Sequence, residues 1–501
     1  MTVQPPRHEP DEEAAASRNL KSASASGIVI NLTSQFALFG LRLVFQIVLA
    51  RFLLPGDFGL VAMVAPVITF VGMFADLGLS QATVQQKNIS QEQLSFLFWV
   101  NATAGLMLAG LCVACADLVA GFYGDARVAN IMIVSGSLLF VTSLCSQHLA
   151  LLNRHLRFRA LAILNLVSFF CGALAGVVSA ILGMGYWAIM MNQAVFSITI
   201  AVLAWSVSRW LPGRPAPFAS MKPLLHFSSD VTSYRFVNFF SRSSDSVMLG
   251  RFAGEHALGL YDRAIKLMLL PFFQFAGPFT SVAIPLLSRT QDQPEFYRRA
   301  FSRMLGAVVL LIYPSLIFMI INSYDLTALA LGQQWVEVAP IFMILGIDAF
   351  VAPIGNSMGW LFISQGRTRE MRNWGILTSV LFVACFAIGL SWGAKGVAAG
   401  YAAAGLLEMS FLWRVATRRG PLRGQDLFSA VAPFLFASLI TFGVMYGVLS
   451  ALPAGILGLL LKAAGAYAVF AAALAVLPGG RRALRDFLDQ ALQLVARFRS
   501  M

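Results

Sequence analysis

The sequence predicts an all-α integral membrane protein of about fourteen transmembrane helices, arranged as two six-helix lobes related by a parallel repeat, plus two C-terminal helices. Three observations predict it. The 501 residues are 58% hydrophobic and only 12% charged, a composition that a water-soluble domain could not keep out of aggregates. Apolar runs near or above the ~20 residues needed to cross a bilayer follow one another along the chain. Finally, residues 36–60 (FALFGLRLVFQIVLARFLLPGDFGL) align without a gap on 236–260 (FVNFFSRSSDSVMLGRFAGEHALGL). Phe36/Phe236, Phe39/Phe239, Arg42/Arg242, Leu49/Leu249, Arg51/Arg251, Phe52/Phe252, Gly59/Gly259 and Leu60/Leu260 are identical. Shared hydrophobicity does not explain two matched arginines, so the pair reads as an internal repeat.

Residues 1–27 are rich in Pro, Glu, Ala and Ser and hold no apolar core of a signal peptide, so a disordered cytoplasmic tail is expected. An N-lobe follows over 28–209, with spans at 28–52, 58–80, 94–118, 128–151, 160–183 and 186–208. The Pro-rich stretch 210–225 is a cytoplasmic linker. The C-lobe covers 226–417, with spans at 226–252, 257–287, 303–323, 338–364, 373–393 and 396–416. Two further spans, 427–450 and 455–477, make a terminal pair over 427–478. The tail 479–501 places Leu484, Phe487, Leu488, Ala491, Val495 and Phe498 on one face. It reads as a basic amphipathic helix, lying either on the inner leaflet or against the protein.

Charge fixes an orientation for this count. Alternate connections carry Arg154/Arg157/Arg159, Arg209/Arg214/Lys222, Arg289/Arg298/Arg299, Arg367/Arg369/Arg372 and Arg418/Arg419/Arg423, while several of those between are short and nearly uncharged. The bias puts the basic side and both termini in the cytoplasm. Six spans, an even number, separate the two repeat copies, so both copies run the same way through the membrane. All five cysteines (Cys112, Cys115, Cys145, Cys171, Cys385) lie in apolar segments and read as small packing residues, and the five scattered histidines form no metal spacing.

The candidate site follows from the cost of charge in a bilayer. An ionisable group at the centre of a spanning helix costs about 2.5–3.5 kcal/mol even on a lenient scale. Residues 226–252 nevertheless carry Asp230, Arg235, Arg242 and Asp245. Arg235, Asn238, Arg242 and Asp245 fall within an arc of about 80° at 100° per residue. In the first copy Asn31, Gln35, Arg42 and Gln46 fall within about 60°. Two such stripes read as the walls of a wet cavity. Arg42 and Arg242 would capture an anionic headgroup, because guanidinium forks phosphate oxygens; the competing reading is an ion pair, with Asp245 one turn from Arg242. Arg263 and Lys266 either extend the basic lining or form a helix-end salt bridge with Asp262. Arg51 and Arg251 read as snorkelling residues at helix ends.

Three runs carry a family resemblance: LARFLLPGDFGLVAM (49–63), FADLGLSQATVQQKN (74–88) and SSDSVMLGRFAGEHALGLYDRA (243–264). They resemble the polysaccharide-transporter branch of the MOP superfamily, which holds the Wzx-type lipopolysaccharide and exopolysaccharide flippases. The resemblance extends over about residues 28–478. It implies a MOP/MATE-like fold, a bacterial inner-membrane location, and outward movement of undecaprenyl-diphosphate-linked oligosaccharide by alternating access. It also implies cavity arginines on the first helix, a role that Arg42 matches by helix and approximate depth. The expected partners are the lipid-linked oligosaccharide, membrane lipids and other polysaccharide assembly proteins, with no nucleic acid.

Two alternatives belong to other classes. A MATE-like multidrug or cation antiporter would need a titratable acid in the first lobe, and span 1 has none. A polysaccharide polymerase or ligase would need a sizeable outer loop of catalytic polar groups, whereas 322–336 holds one acid and no His or Arg. An enzyme is therefore not expected. No cofactor is expected either; no GxxxxGK[ST] motif occurs, and the sequence leaves open whether a proton or sodium gradient drives the cycle.

Overall fold

The computed structural model describes residues 38–76, 79–86, 89–215, 222–448, 451 and 455–499. Among them, ten helices are long and apolar enough to cross a membrane, and an eleventh if a bent helix pair over 243–289 is counted. One of the ten, the 51-residue stretch Thr368–Arg418, is itself two helices, α13 (Thr368–Gly389) and α14 (Gly393–Arg418), joined by a 3-10 turn. The protein is an all-helical, multi-pass membrane protein.

The chain divides into two compact units, one of residues 1–54 and 64–236, the other of 55–63 and 237–501. The first contains α1 (38–52), most of α2 (Pro55–Asp76), α3 (Leu79–Gln85), α4 (Gln91–Ala114), α5 (Ala116–Tyr123), α6 (Arg127–Arg154), α7 (Phe158–Ile181) and α8 (Trp187–Ser208). α6 packs on α4 and α8, and α8 on α7. Small residues bring these helices close, as bilayer packing favours. A Cβ added at Gly136 of α6 would lie 2.4 Å from the Cβ of Cys112 on α4. Buried polar groups pair across helices: Thr83 donates to Gln147 at 2.8 Å, Asn101 to Ser146 at 2.8 Å, and His148 Nδ1 meets Ser208 Oγ at 2.8 Å. The segment after α8 is fastened to α4. Gln91 Nε2 donates to the Leu211 carbonyl at 2.9 Å, Trp99 Nε1 to that of Gly213 at 3.1 Å, and the Gly213 N–H to Ser95 Oγ at 2.8 Å.

The second unit contains most of α9 (Lys222–Arg289), then α10 (Pro294–Ile321), α11 (Ser323–Leu326), α12 (Val338–Ser364), α13, α14, α15 (Gly424–Gly447), α16 (Ile456–Val476) and α17 (Gly480–Arg499). α10 is its core, packing on α12, α15 and α16. Tyr297, Phe301, Leu305, Val309, Tyr313 and Ile317 of α10 are fully buried. The buried tyrosines find partners, as their hydroxyls require: Tyr297 Oη meets Ser364 Oγ at 2.7 Å and Tyr313 donates to the Phe350 carbonyl at 2.7 Å. Buried Lys462 of α16 pairs with Asp325 of α11 at 3.5 Å, tying the last spanning helix to the loop after α10.

The basic connections also cap helix ends. Arg154 donates to the carbonyls of Thr83 and Gln86. Arg367 donates to the Val415, Ala416 and Arg419 carbonyls at the end of α14 and pairs with Glu370 at 2.6 Å. Both satisfy carbonyls that a helix end leaves open and complement its partial negative charge. At the opposite kind of connection, Asp125 accepts from the backbone N–H and guanidinium of Arg127, which hold its carboxyl below the usual range. The tail forms α17, and the start of this helix packs on α10 and α16, with Asp486 bonded to Arg303 at 2.8 Å. That part of the tail lies against the protein.

Candidate functional site

α9 is two helices joined at a kink. Gly254 has φ 81° and ψ 179°, a left-handed-side conformation that glycine adopts without strain. The chain folds back there. The Tyr261 hydroxyl donates to Asp245 Oδ2 at 2.9 Å, although the two are 16 residues apart; a straight helix would separate them by about 24 Å. The element is thus a helical hairpin, its turn falling between the spans expected over 226–252 and 257–287. Asp245 is 4% exposed and also accepts from the Ser246 N–H at 2.6 Å.

The second limb begins with a charged cluster. Asp262 bonds Lys266 at 2.7 Å and lies 3.4 Å from Arg263. Arg263 is buried, with its guanidinium 3.9 Å from the centre of the Phe58 ring on α2. Phe58 in turn makes an edge contact at 5.3 Å with Trp335, which is fully buried in the 3-10 turn Gln333–Trp335. The helix-end ion pair, one of the two readings of these residues, is present, and Arg263 sits under an aromatic lid.

Beside this cluster the starts of α2 and of the second limb cross. A Cβ on Gly59 would lie 1.7 Å from the carbonyl oxygen of Glu255, and one on Gly259 would lie 1.9 Å from that of Pro55. Only glycine permits either approach. Positions 55 and 255, and 59 and 259, are equivalent in the repeat, so the contact is reciprocal.

In the first copy, Arg42 is exposed on α1, its guanidinium 5.8 Å from the Phe169 ring of α7, and Gln46 is half-buried on the same helix. Gln35 lies outside the described residues. Arg235, Asn238 and Arg242 lie on helical backbone of the first limb, with side chains outside the described residues. Three acidic or basic groups escaped the sequence reading. Asp348 of α12 is 7% exposed and packs directly on Gly405 of α14, and among the described residues no hydrogen bond or ion pair reaches its carboxylate. Glu408 of α14 accepts from Trp374 Nε1 at 3.2 Å. Lys462 pairs with Asp325 as above. The cost of intramembrane charge flags all three, just as it flagged Asp245.

Comparison with known proteins agrees with this architecture. The family described as "Polysaccharide biosynthesis protein" matches residues 48–340. The lipopolysaccharide biosynthesis protein WzxC of Escherichia coli is 25% identical over 440 residues, covering 85% of this chain and 88% of its own. The succinoglycan biosynthesis transport protein ExoT of Rhizobium meliloti is 25% identical over 362 residues, covering 72% and 73%. Among solved structures, the lipid II flippase MurJ in an inward closed conformation superposes with a TM-score of 0.72 at 14% identity, over 89% of this chain and 98% of MurJ. An inward-facing MATE multidrug transporter of the MOP superfamily gives 0.61 at 12% identity, over 77% and 98%. The fold is that of the MOP transporters, and with the family match covering more than half of its residues, this chain belongs to the polysaccharide biosynthesis protein family.

Proposed function

We propose that this protein is a flippase that carries undecaprenyl-diphosphate-linked oligosaccharide units across the bacterial inner membrane for exopolysaccharide or lipopolysaccharide synthesis. The family match over residues 48–340 is the observation that carries the reading. The cargo has a dianionic diphosphate, a polar glycan and an isoprenoid tail. Moving it requires cations inside the bilayer, a hydrated passage for the sugar, and an apolar flank for the tail. Arg42, exposed on α1, and its repeat equivalent Arg242 are the cations we assign to the diphosphate, since paired guanidinium groups fork phosphate oxygens. The polar faces that hold Gln35, Gln46, Arg235 and Asn238 would line the passage, with Asp245, buried against Tyr261, bracing its wall from behind. In a cell, both termini would lie on the cytoplasmic side, where the capped basic connections sit. Alternating access would come from rocking of the two repeat halves about this passage.

The test is translocation into vesicles of a polyprenyl-diphosphate oligosaccharide bearing a fluorescent sugar. Arg42→Ala and Arg242→Ala should each lower the rate at least tenfold with normal protein levels. Full activity in both would remove the assigned diphosphate site. Efflux of cationic dyes by the intact protein, with no glycolipid movement, would instead favour the multidrug antiporter reading.

A further inference from the structure

α15 carries apolar side chains on two faces. One packs on α10 and α16. The other holds Phe428, Leu435 and Phe442, spaced seven residues apart and therefore in one line along the helix. All three are exposed. Across from them α12 presents Met343, Ile347 and Ile354, again one stripe, and α14 presents Leu406 and Trp413. The three helices enclose a groove of about 950 Å³. From Phe428 to Phe442 it runs about 21 Å at helical rise, about two-thirds of the hydrocarbon core of a bilayer.

The charge of this groove lies at one end. Arg414 lines it one turn inside the end of α14, on the side of the basic connection 418–423. Trp413 beside it packs on the start of α15: a Cβ on Gly424 would lie 3.2 Å from Trp413 Nε1. Tryptophan favours the level of the lipid headgroups. Ser410, the other polar residue of the lining, has its hydroxyl bonded to the Leu406 carbonyl at 3.0 Å. The acids of α14 and α15 are engaged elsewhere, Glu408 by Trp374 and Asp426 by Arg298. Among the described residues no hydrogen bond or ion pair reaches the Arg414 guanidinium.

An apolar groove in a membrane gains nothing from hydrophobicity alone, because lipid tails are as apolar as leucine. It must still be filled, since empty space forfeits dispersion contacts. Any alkyl chain fills it. What tells one lipid from another is the cation at its mouth, whose planar fork matches phosphate oxygens. Basic pockets between spanning helices hold anionic headgroups in this way. A zwitterionic headgroup brings a cation of its own to the phosphate, so an anionic one is preferred. The diphosphate of the cargo is assigned other guanidinium groups above, which leaves Arg414 for a second phosphate.

We propose that this groove seats a resident anionic phospholipid, with one chain along α15 and the phosphate on Arg414. The lipid is a structural ligand that packs the terminal pair of helices against α12 and α14, and it is distinct from the cargo.

Phosphatidylglycerol with brominated chains tests it, because bromine quenches tryptophan only at short range. The full chain in detergent is titrated with this lipid and, separately, with brominated phosphatidylcholine of the same chains. Subtracting the signal of Trp413→Phe isolates the quenching of Trp413. That quenching should reach half its maximum at an at least fivefold lower mole fraction of phosphatidylglycerol, and Arg414→Gln should bring the two lipids together. Equal titration of the unsubstituted protein by both lipids overturns the proposal, as does a preference that Arg414→Gln leaves intact. If Arg414→Gln yields no folded protein, Ala432→Phe decides. It fills the groove from α15 without touching the charge and should cut the Trp413 quenching at least threefold; unchanged quenching overturns the proposal. Reversal of the quenching by a polyprenyl diphosphate at a lower mole fraction than by unbrominated phosphatidylglycerol would make the groove a seat for the cargo's tail, and overturns it too. None of these measurements involves transport, so the flippase reading stands or falls separately.

Discussion

The two copies of the repeat use one scaffold for different ends. Leu49 and Leu249 are both buried, as are Leu60 and Leu260, and Arg51 and Arg251 are both exposed. Gly59 and Gly259 each meet the other copy's carbonyl. Between these fixed points the copies diverge. Phe45 in the first is buried and meets Phe169 edge-on at 5.8 Å; its equivalent in the second is Asp245, bonded to Tyr261. Tyr261 itself stands opposite Val61, and Arg263 opposite Met63. The first copy thus packs apolar side chains where the second builds a buried polar pair and a stacked cation. The two copies share the positions that set helix approach, and the buried polar chemistry lies in one of them.

That comparison can be broken in stages. The largest effect should come from the shared glycines. Gly59→Leu and Gly259→Leu each drive a side chain into backbone, an overpacking cost of about 1–3 kcal/mol or more. Their losses of thermal stability in detergent should match; a large inequality would mean the two positions are not structurally equivalent. Next comes the polar pair. Asp245→Leu leaves the Tyr261 hydroxyl buried without its acceptor, a cost of about 1–3 kcal/mol. Asp245→Leu/Tyr261→Phe, which restores the apolar character of the first copy, should recover much of it. If the double variant instead loses the sum of the two single effects, the hydrogen bond is not the unit of coupling. A smaller effect is expected for Arg263→Met, which places the first copy's residue in the second. It loses a cation–π contact worth about 0.5–2 kcal/mol but also removes a buried charge, so melting should shift little while transport changes. Smallest of all, Arg51→Gln and Arg251→Gln should each stay within about 0.5 kcal/mol in the same melting experiment.

Much of this was legible from residue order. Apolar length located the spans, so that expected 128–151 became Arg127–Arg154 and 338–364 became Val338–Ser364. The ungapped register, anchored by Arg42/Arg242, already contained the Gly59/Gly259 equivalence. What it could not supply was partners. Asp348 reads as one acid in an apolar run, and that it rests on Gly405, 57 positions on, depends on how α12 and α14 approach. Lys462 likewise gives no sign of Asp325. The tail illustrates the same limit: its periodicity predicts an amphipathic helix with equal force whether lipid or protein covers it, and only the Arg303–Asp486 contact distinguishes the two for its first turns.

The attachment of Leu211 and Gly213 to α4 bears on how the gene could be divided. Residues 211–213 are fastened to α4, whereas Pro55–Met63 packs against the second limb of α9, so a break introduced a few residues after the anchor would leave two fragments that still hold each other through that crossing. Two polypeptides, 1–217 and 218–501, synthesised together should therefore reassemble into a working transporter. The same junction is the natural place to insert a reporter or an affinity handle.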